Sequence, residues 1–485
     1  MDKNHPRTGD MAPEEFRQYG YKVVDWITEY LMHVEEYPVL SQVSPGDIKS
    51  KIPTQPPQKG ENMADMIRDL DEIIMPGITH WNHPNFMAYF NSTASAPGIL
   101  AEMFSAALNV NGMLWKTSPA VTELEDVTLD WFRQMLGFPK DFWGIIYDTA
   151  SVSSMHAIAA AREQAVEFNF RQKGMAGRGE VPRLRLYCTE HSHSSIDKGA
   201  LAMGIGMEGI RKIPVDGQFR MIPEALQNAI EEDRGNGWYP FCVVATVGTT
   251  SSTSIDPVDA IGDICNKENI WLHVDGAYGG VAAVLPEMRT IFKGIEKADS
   301  VVVNPHKWMF TPIDLSVFFT QKPEVLKRAF SLVAEYLKTG EGSSVQNYMD
   351  YGIQLGRRFR SLKLWFIIRY FGVEGIQNRI KEHLNLAKWL KEEMAASPDF
   401  ELMAPVPFSV VCFRFHPDPV KDVQRVDELN EKLMNNINAT GELFLSHTKL
   451  NNQLVLRVAI SGIRTERHHV EKAWKLIRQK SQELL

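Results

Sequence analysis

The chain has 485 residues, 44% hydrophobic and 23% charged, an ordinary globular composition with ample length for a large core. A net charge of −8 gives no basic footprint for nucleic acid, and no apolar run reaches the roughly 20 residues that span a membrane. The start, MDKNHPRTGDMAPEEF, lacks the apolar centre of a signal peptide, and the four cysteines, Cys188, Cys242, Cys265 and Cys412, form no C-x-x-C pair, so a cytoplasmic protein with free thiols is expected.

Apolar positions at Phe16, Val23, Val24, Ile27, Tyr30, Leu31 and Val34 follow the 3.6-residue period and predict an amphipathic helix over 13–36. A proline-rich connector follows. A second helical segment is expected at about 62–75, then the aromatic cluster HWNHPNFMAYF over 80–90, then helical pattern from about 96 to 137. From about 144, short apolar runs alternate with helices: GIIY (144–147), RLYCT (185–189), IRKIPV (210–215), FCVVATV (241–247), WLHVD (271–275), SVVVN (300–304) and LSVFFT (315–320). Such strands imply a mostly parallel, seven-stranded sheet covered on both faces, with ligands beyond the strands' carboxyl ends. Residues 338–356 are Gly/Ser-rich and weakly patterned, a long loop of the kind that is functional or disordered. Helices at about 374–395 and 424–438, strands at 409–415 and 453–459, and a final helix predict a smaller α+β unit. The expected division is an N-terminal helical segment over 1–95, a large α/β domain over 96–371 and a small domain over 372–485.

Several polar residues fall at the ends of those strands. Lys307, in SVVVNPHKWMF, is flanked by His306, Trp308, Met309 and Phe310. Burial there would depress its pKa and free a neutral amine for covalent chemistry; a lysine after a strand is otherwise a surface residue. Asp275 ends WLHVD and precedes Gly276 and Ala277; it is either a helix cap or an anion for a protonated ring nitrogen. Residues 148–154, DTASVSS, open a helix and offer hydroxyls and N–H groups to an anion, or a plain cap. His191 and His193 have no further ligand at zinc spacing, so no metal is expected.

NPHKW, HVDGAY, ATVGTT, THW-N-HPNFMAYF, SPAVTELE and GRRFRSLKLW together resemble the group II pyridoxal-phosphate decarboxylases, in the aromatic L-amino-acid branch. The likeness runs from about residue 10 to the last helix. It implies fold type I, the aspartate-aminotransferase-like α/β fold, with pyridoxal phosphate as cofactor and a homodimer whose sites lie at the subunit interface. It assigns Lys307 to cofactor attachment, Asp275 to the ring nitrogen, and His193 and Ala277 to the two ring faces. Thr149, Ala150 and Ser151 would hold the phosphate, with Asn304 and His306 nearby and Thr246 in the same shell. Trp81, Tyr89 and Phe90 would wall the substrate pocket. The proton donor of this branch is a loop tyrosine reaching across the dimer; counting back from Gly356 selects Tyr348 over Tyr351.

The implied reaction converts an aromatic L-amino acid to its amine and CO2. Some relatives release an aldehyde instead and carry Phe at the tyrosine position, so Tyr348 favours the amine. Asn91, Asn111 and Met113 depart from the usual pocket pattern, which leaves the preferred amino acid open and keeps histidine as an alternative substrate. An aminotransferase or other lyase of the same fold, or a non-catalytic dimer, are the readings from other classes.

Overall fold

The computed structural model describes residues 9–332, 345–418, 420 and 422–485. Its large sheet has seven strands: β1 (Trp143–Tyr147), β2 (Arg183–Thr189), β3 (Ile210–Ile213), β4 (Trp238–Thr246), β5 (Trp271–Asp275), β6 (Ser300–Val303) and β7 (Ser316–Thr320). Their order is β1-β7-β6-β5-β4-β2-β3. β7 runs antiparallel to both neighbours, and the other pairs are parallel. β1 therefore points the same way as β6.

Alternation along β4 shows why these strands read as continuous apolar runs. Val243 and Ala245 enter one hydrophobic cluster, while Cys242 and Val244 enter another. Both faces are buried, so no polar face interrupts the strand. Helix Ala150–Gln164 packs across β4 to β7, and helices Pro223–Gly235 and Val258–Glu268 pack on β4. A second, antiparallel sheet follows in the order β10-β11-β9-β8, from β8 (Phe400–Leu402), β9 (Val410–Phe415), β10 (Ser446–Leu450) and β11 (Gln453–Ala459).

Several boundaries differ from the sequence expectation. The first helix ends at Met32, with a separate 3-10 turn over Val34–Glu36. The second begins at Met63 and passes through a π turn to a 3-10 turn ending at Gly77. The helical run expected over 96–137 is two helices, Ala96–Leu108 and Pro119–Leu136. Asn109, at φ 44°, ends the first, and Pro119 opens the second. The helix expected at 374–395 starts at Ser361 and breaks at Gly372, whose φ of 65° suits glycine. Of the expected 338–356 loop, residues 338–344 lie outside the described residues; Tyr348–Tyr351 forms a 3-10 turn.

Candidate active site

The carboxyl ends of β2, β4, β5 and β6 meet at one edge of the sheet, and the chemistry-bearing residues follow them. β5 ends on Asp275, whose carboxylate accepts the Ala277 N–H at 3.0 Å. β6 leads into Asn304 and the short helix Pro305–Trp308, which carries Lys307. Backbone bonds from Gly276 to Val302 (3.0 Å) and from Asn304 to Ala277 (3.2 Å) lock these two turns together. Gly248, after β4, has φ 93°, and a Cβ there would lie 2.9 Å from the Gly279 nitrogen. The ATVGTT and HVDGAY turns can approach this closely only over glycine.

One cleft gathers Ala150, His193, Thr246, Asp275, Ala277 and Lys307, with Phe90 and Tyr278 as an aromatic wall. Burial lowers the Lys307 pKa from the ordinary lysine value, with Asp275 opposing, so the neutral amine is more available than on a surface lysine. His193 accepts the Ser195 N–H at 3.2 Å, which orients its ring at the head of helix Ser194–Ala202. Thr149 precedes helix Ala150–Gln164 and makes no side-chain cap; its carbonyl takes the Val152 and Ser153 N–H groups, leaving those of Ala150 and Ser151 for an anion.

The Phe90 ring stacks on Tyr278 at 3.8 Å and 8°, and Tyr278 stacks on Trp308 at 4.8 Å and 7°. Lys307 Nζ is 5.3 Å from the Phe90 centroid. Trp81 and Tyr89 do not join this wall. They form a separate aromatic group with Phe86 and Phe444, and are 39% and 51% exposed. His306 is a brace: its Nδ1 accepts the Leu315 N–H at 2.9 Å, and burial pushes its pKa down to about 3.

Two expected pocket residues, Asn111 and Met113, and the expected proton donor, Tyr348, lie elsewhere in the same chain. Asn111 Oδ1 accepts the Arg357 N–H at 2.9 Å, and the Met113 carbonyl accepts the Met349 N–H at 3.1 Å. Tyr348 packs against Trp143, at the far end of β1 from Thr149. The buried Asn91 amide donates to the Phe86 carbonyl at 3.1 Å and so braces its own loop.

Sequence reasoning missed Arg457. It is buried on β11 and donates to the Ser251 carbonyl (3.0 Å) and Ser446 Oγ (3.1 Å), and its guanidinium lies 5.5 Å from the Phe90 centroid. Its second terminal nitrogen has no hydrogen-bond partner among the described residues, which fits it to an anionic group. The readable signal was a lone arginine within the apolar run QLVLRVA.

A bound cofactor fits these residues. Thr246 Oγ1 and both side-chain polar atoms of Asn304 are buried without hydrogen-bond partners among the described residues. Orphaned polar groups of this kind are costly unless a polar ligand completes them. Away from the cleft, Glu35, His468 and His469 bring ligand atoms within 4.8 Å of one another. His469 Nδ1, however, accepts the Glu466 N–H at 2.9 Å. The neutral ring then keeps its proton on Nε2, facing Glu35 at 3.2 Å, which makes this a helix cap and not a ready metal ligand.

Residues 45–416 match the family described as the pyridoxal-dependent decarboxylase conserved domain. The chain is 40% identical to tyrosine decarboxylase 4 of Petroselinum crispum, covering 98% of this chain and 95% of that one. It is 39% identical to phenylacetaldehyde synthase of Arabidopsis thaliana, covering 98% and 97%. The crystal structure of Oryza sativa TDC with PLP and tryptamine superposes with a TM-score of 0.94 at 34% identity, covering 98% and 99%. The chain belongs to the pyridoxal-dependent decarboxylase family, in its aromatic L-amino-acid branch.

Proposed function

We propose that the protein decarboxylates an aromatic L-amino acid to the corresponding aryl-alkyl amine, using pyridoxal phosphate. The observation that carries this is the convergence of Lys307, Asp275, His193 and Thr246 with the Phe90 ring in one cleft. Lys307, Asp275, His193, Ala277, Thr246, Asn304 and the N-terminus at Thr149–Ser151 would hold the cofactor. When bound, it supplies the electron sink that accepts the electrons left behind by CO2.

The chain's own residues do the rest. Lys307 offers a desolvated amine, and Asp275 brings its carboxyl group into the same cleft. The stack of Phe90 on Tyr278 presents a flat apolar wall to an aromatic side chain. Arg457 places a buried guanidinium 5.5 Å from the Phe90 centroid, suited to a carboxylate. Tyr348 would deliver the proton to the carbon that lost CO2.

A homodimer accounts for what one chain leaves undone. Helix Pro13–Met32 buries none of its residues within the chain. Helix Ala96–Leu108 leaves Leu100, Met103, Phe104 and Leu108 exposed on one face. Asn111, Met113 and Tyr348, away from their own Lys307, would then serve the partner's cleft. All four cysteines are buried and unpaired, consistent with a cytoplasmic enzyme.

The test is incubation of the purified protein with pyridoxal phosphate and a panel of aromatic amino acids and histidine, measuring CO2, amine, aldehyde and peroxide together. Amine equal to CO2, without peroxide, is expected. Aldehyde with peroxide would move the enzyme to the oxidative outcome, a reading favoured by the burial of Tyr348 away from the cleft. No CO2 would overturn the function.

A further inference from the structure

Tyr348 is 1% exposed within a single chain. Its O–H donates to Asp126 Oδ1. The ring stacks on Trp143 with centroids 5.9 Å apart, and the Arg357 guanidinium lies 4.5 Å from its centroid. The backbone around it is held as well, through Met349 N–H to the Met113 carbonyl (3.1 Å) and Trp115 N–H to Asn347 Oδ1 (3.1 Å). A phenol enclosed in this way by its own chain has to leave this site before it can meet a reacting carbon.

Asp126 stands on helix Pro119–Leu136 beside Glu125, and the two acids divide their partners. Glu125 takes Arg357 at 2.6 Å, while Asp126 takes the phenol. Burial and the two neighbouring carboxylates push the Tyr348 pKa well above its ordinary value. The phenol therefore keeps its proton while it is held.

We propose that Asp126 is a positioning residue that holds the proton donor Tyr348 in a resting site and limits how often it is presented to the reacting carbon. This rests on the decarboxylase reading and on the role given there to Tyr348. During turnover the Asp126 bond breaks and the phenol proton passes to the electron pair on the carbon that lost CO2. The phenolate takes a proton from water before the Asp126 contact re-forms. A charge-assisted hydrogen bond of this kind shifts such an equilibrium by on the order of tenfold.

The test uses the pyridoxal-phosphate-loaded protein and amide hydrogen exchange across residues 345–352. Asp126→Ala and Tyr348→Phe are each expected to speed exchange at Met349–Tyr351 by on the order of tenfold, and the double variant no further than either single one. The single-turnover rate of amine formation is expected to rise in Asp126→Ala with KM unchanged, and to gain nothing from that change in the Tyr348→Phe background. Asp126→Asn keeps the size and an acceptor; it is expected to show a smaller rise and serves if the alanine variant fails to fold. Unchanged exchange in both Asp126 variants, or additive effects in the double variant, would overturn the resting site. A wild-type protein that makes no amine would instead count against the function, and the exchange cycle reads out independently of it.

Discussion

Glu125 and Arg357 stand 232 residues apart and meet at 2.6 Å as a buried ion pair, the two side chains 1% and 7% exposed. The pair joins the TELE and GRRF blocks at the edge of the large sheet. Glu125 accepts the Ile146 N–H at 2.9 Å, and Arg357 donates to the Ile146 carbonyl at 3.0 Å. β1 has a strand neighbour on one side only. The ion pair thus occupies the place of the missing strand and satisfies an edge residue's backbone.

Glu125→Leu is expected to cost about 3–5 kcal/mol, because it strands the Arg357 charge. A buried pair replaced on both sides by apolar residues often regains its stability, but here it should not. Glu125→Leu with Arg357→Met still leaves the Ile146 N–H and carbonyl unpaired, at about 1–3 kcal/mol each. Urea unfolding checks this; full recovery in the double variant would show that the pair does not serve the strand edge.

Lys307→Ala is expected to abolish covalent retention of the cofactor and to lower amine formation by on the order of a thousandfold or more. Borohydride reduction of the loaded wild type, followed by peptide mass analysis, should place the added mass on the peptide containing Lys307. Retention of that mass in the variant, on another lysine, would remove Lys307 from its role.

Strand β5 is WLHVD in sequence and in structure, and β11 is QLVLRVA in both. Uniform burial gives such strands an apolar pattern that needs no partner to read. That Lys307, Asp275 and His193 share one cleft was legible because Asp275 ends a strand and the other two follow one by a short turn at the carboxyl edge. The antiparallel course of β7 was not legible, since local pattern carries no strand direction. Tertiary neighbours were hidden for a similar reason. Arg457 meets Phe90 across 367 residues of sequence, and nothing local to either announces the other. The breaks at Asn109 and Gly372 had signals, a left-handed asparagine and a glycine, that helical periodicity on both sides obscured.

Arg457→Met is expected to raise KM for the amino acid by roughly 10- to 100-fold, the scale of one charged hydrogen bond of about 1.5–3 kcal/mol. Absorbance of the bound cofactor should stay near wild type. Arg457→Lys should recover only part, since a point charge replaces a planar fork. A variant that loses cofactor and leaves KM unchanged would assign Arg457 to the cofactor instead.

Acid should unfold the protein through its buried histidines. Burial pushes His156, His306 and His383 down to about 3, and His273 to about 4. In three of them one ring nitrogen already accepts a hydrogen bond: from Ile353 N–H at 3.2 Å, from Leu315 N–H at 2.9 Å, and from Trp308 Nε1 at 3.0 Å. A second proton on any of these rings would break that bond. Below the unfolded value of about 6.5 the unfolded chain binds more protons than the native one, so stability falls as pH falls from about 6.5 toward 3. The slope is about 1.4 kcal/mol per histidine per pH unit. Asp256, pushed up to about 6 by burial, works in the opposite sense between pH 6 and about 4, and burial raises Asp126 and Asp299 in the same direction, but the four histidines and His83, pushed down to about 4, act against them. Urea midpoints measured from about pH 7.5 down to 5 should therefore drop steeply below 6.5. His383→Gln can still accept from Trp308 and donate to the Gly462 carbonyl, the two bonds that His383 makes. It should flatten that acid limb by one proton's slope while leaving the midpoint at pH 7.5 nearly unchanged. A midpoint that stays level across this range would mean that the buried histidines titrate alike in the folded and unfolded chains.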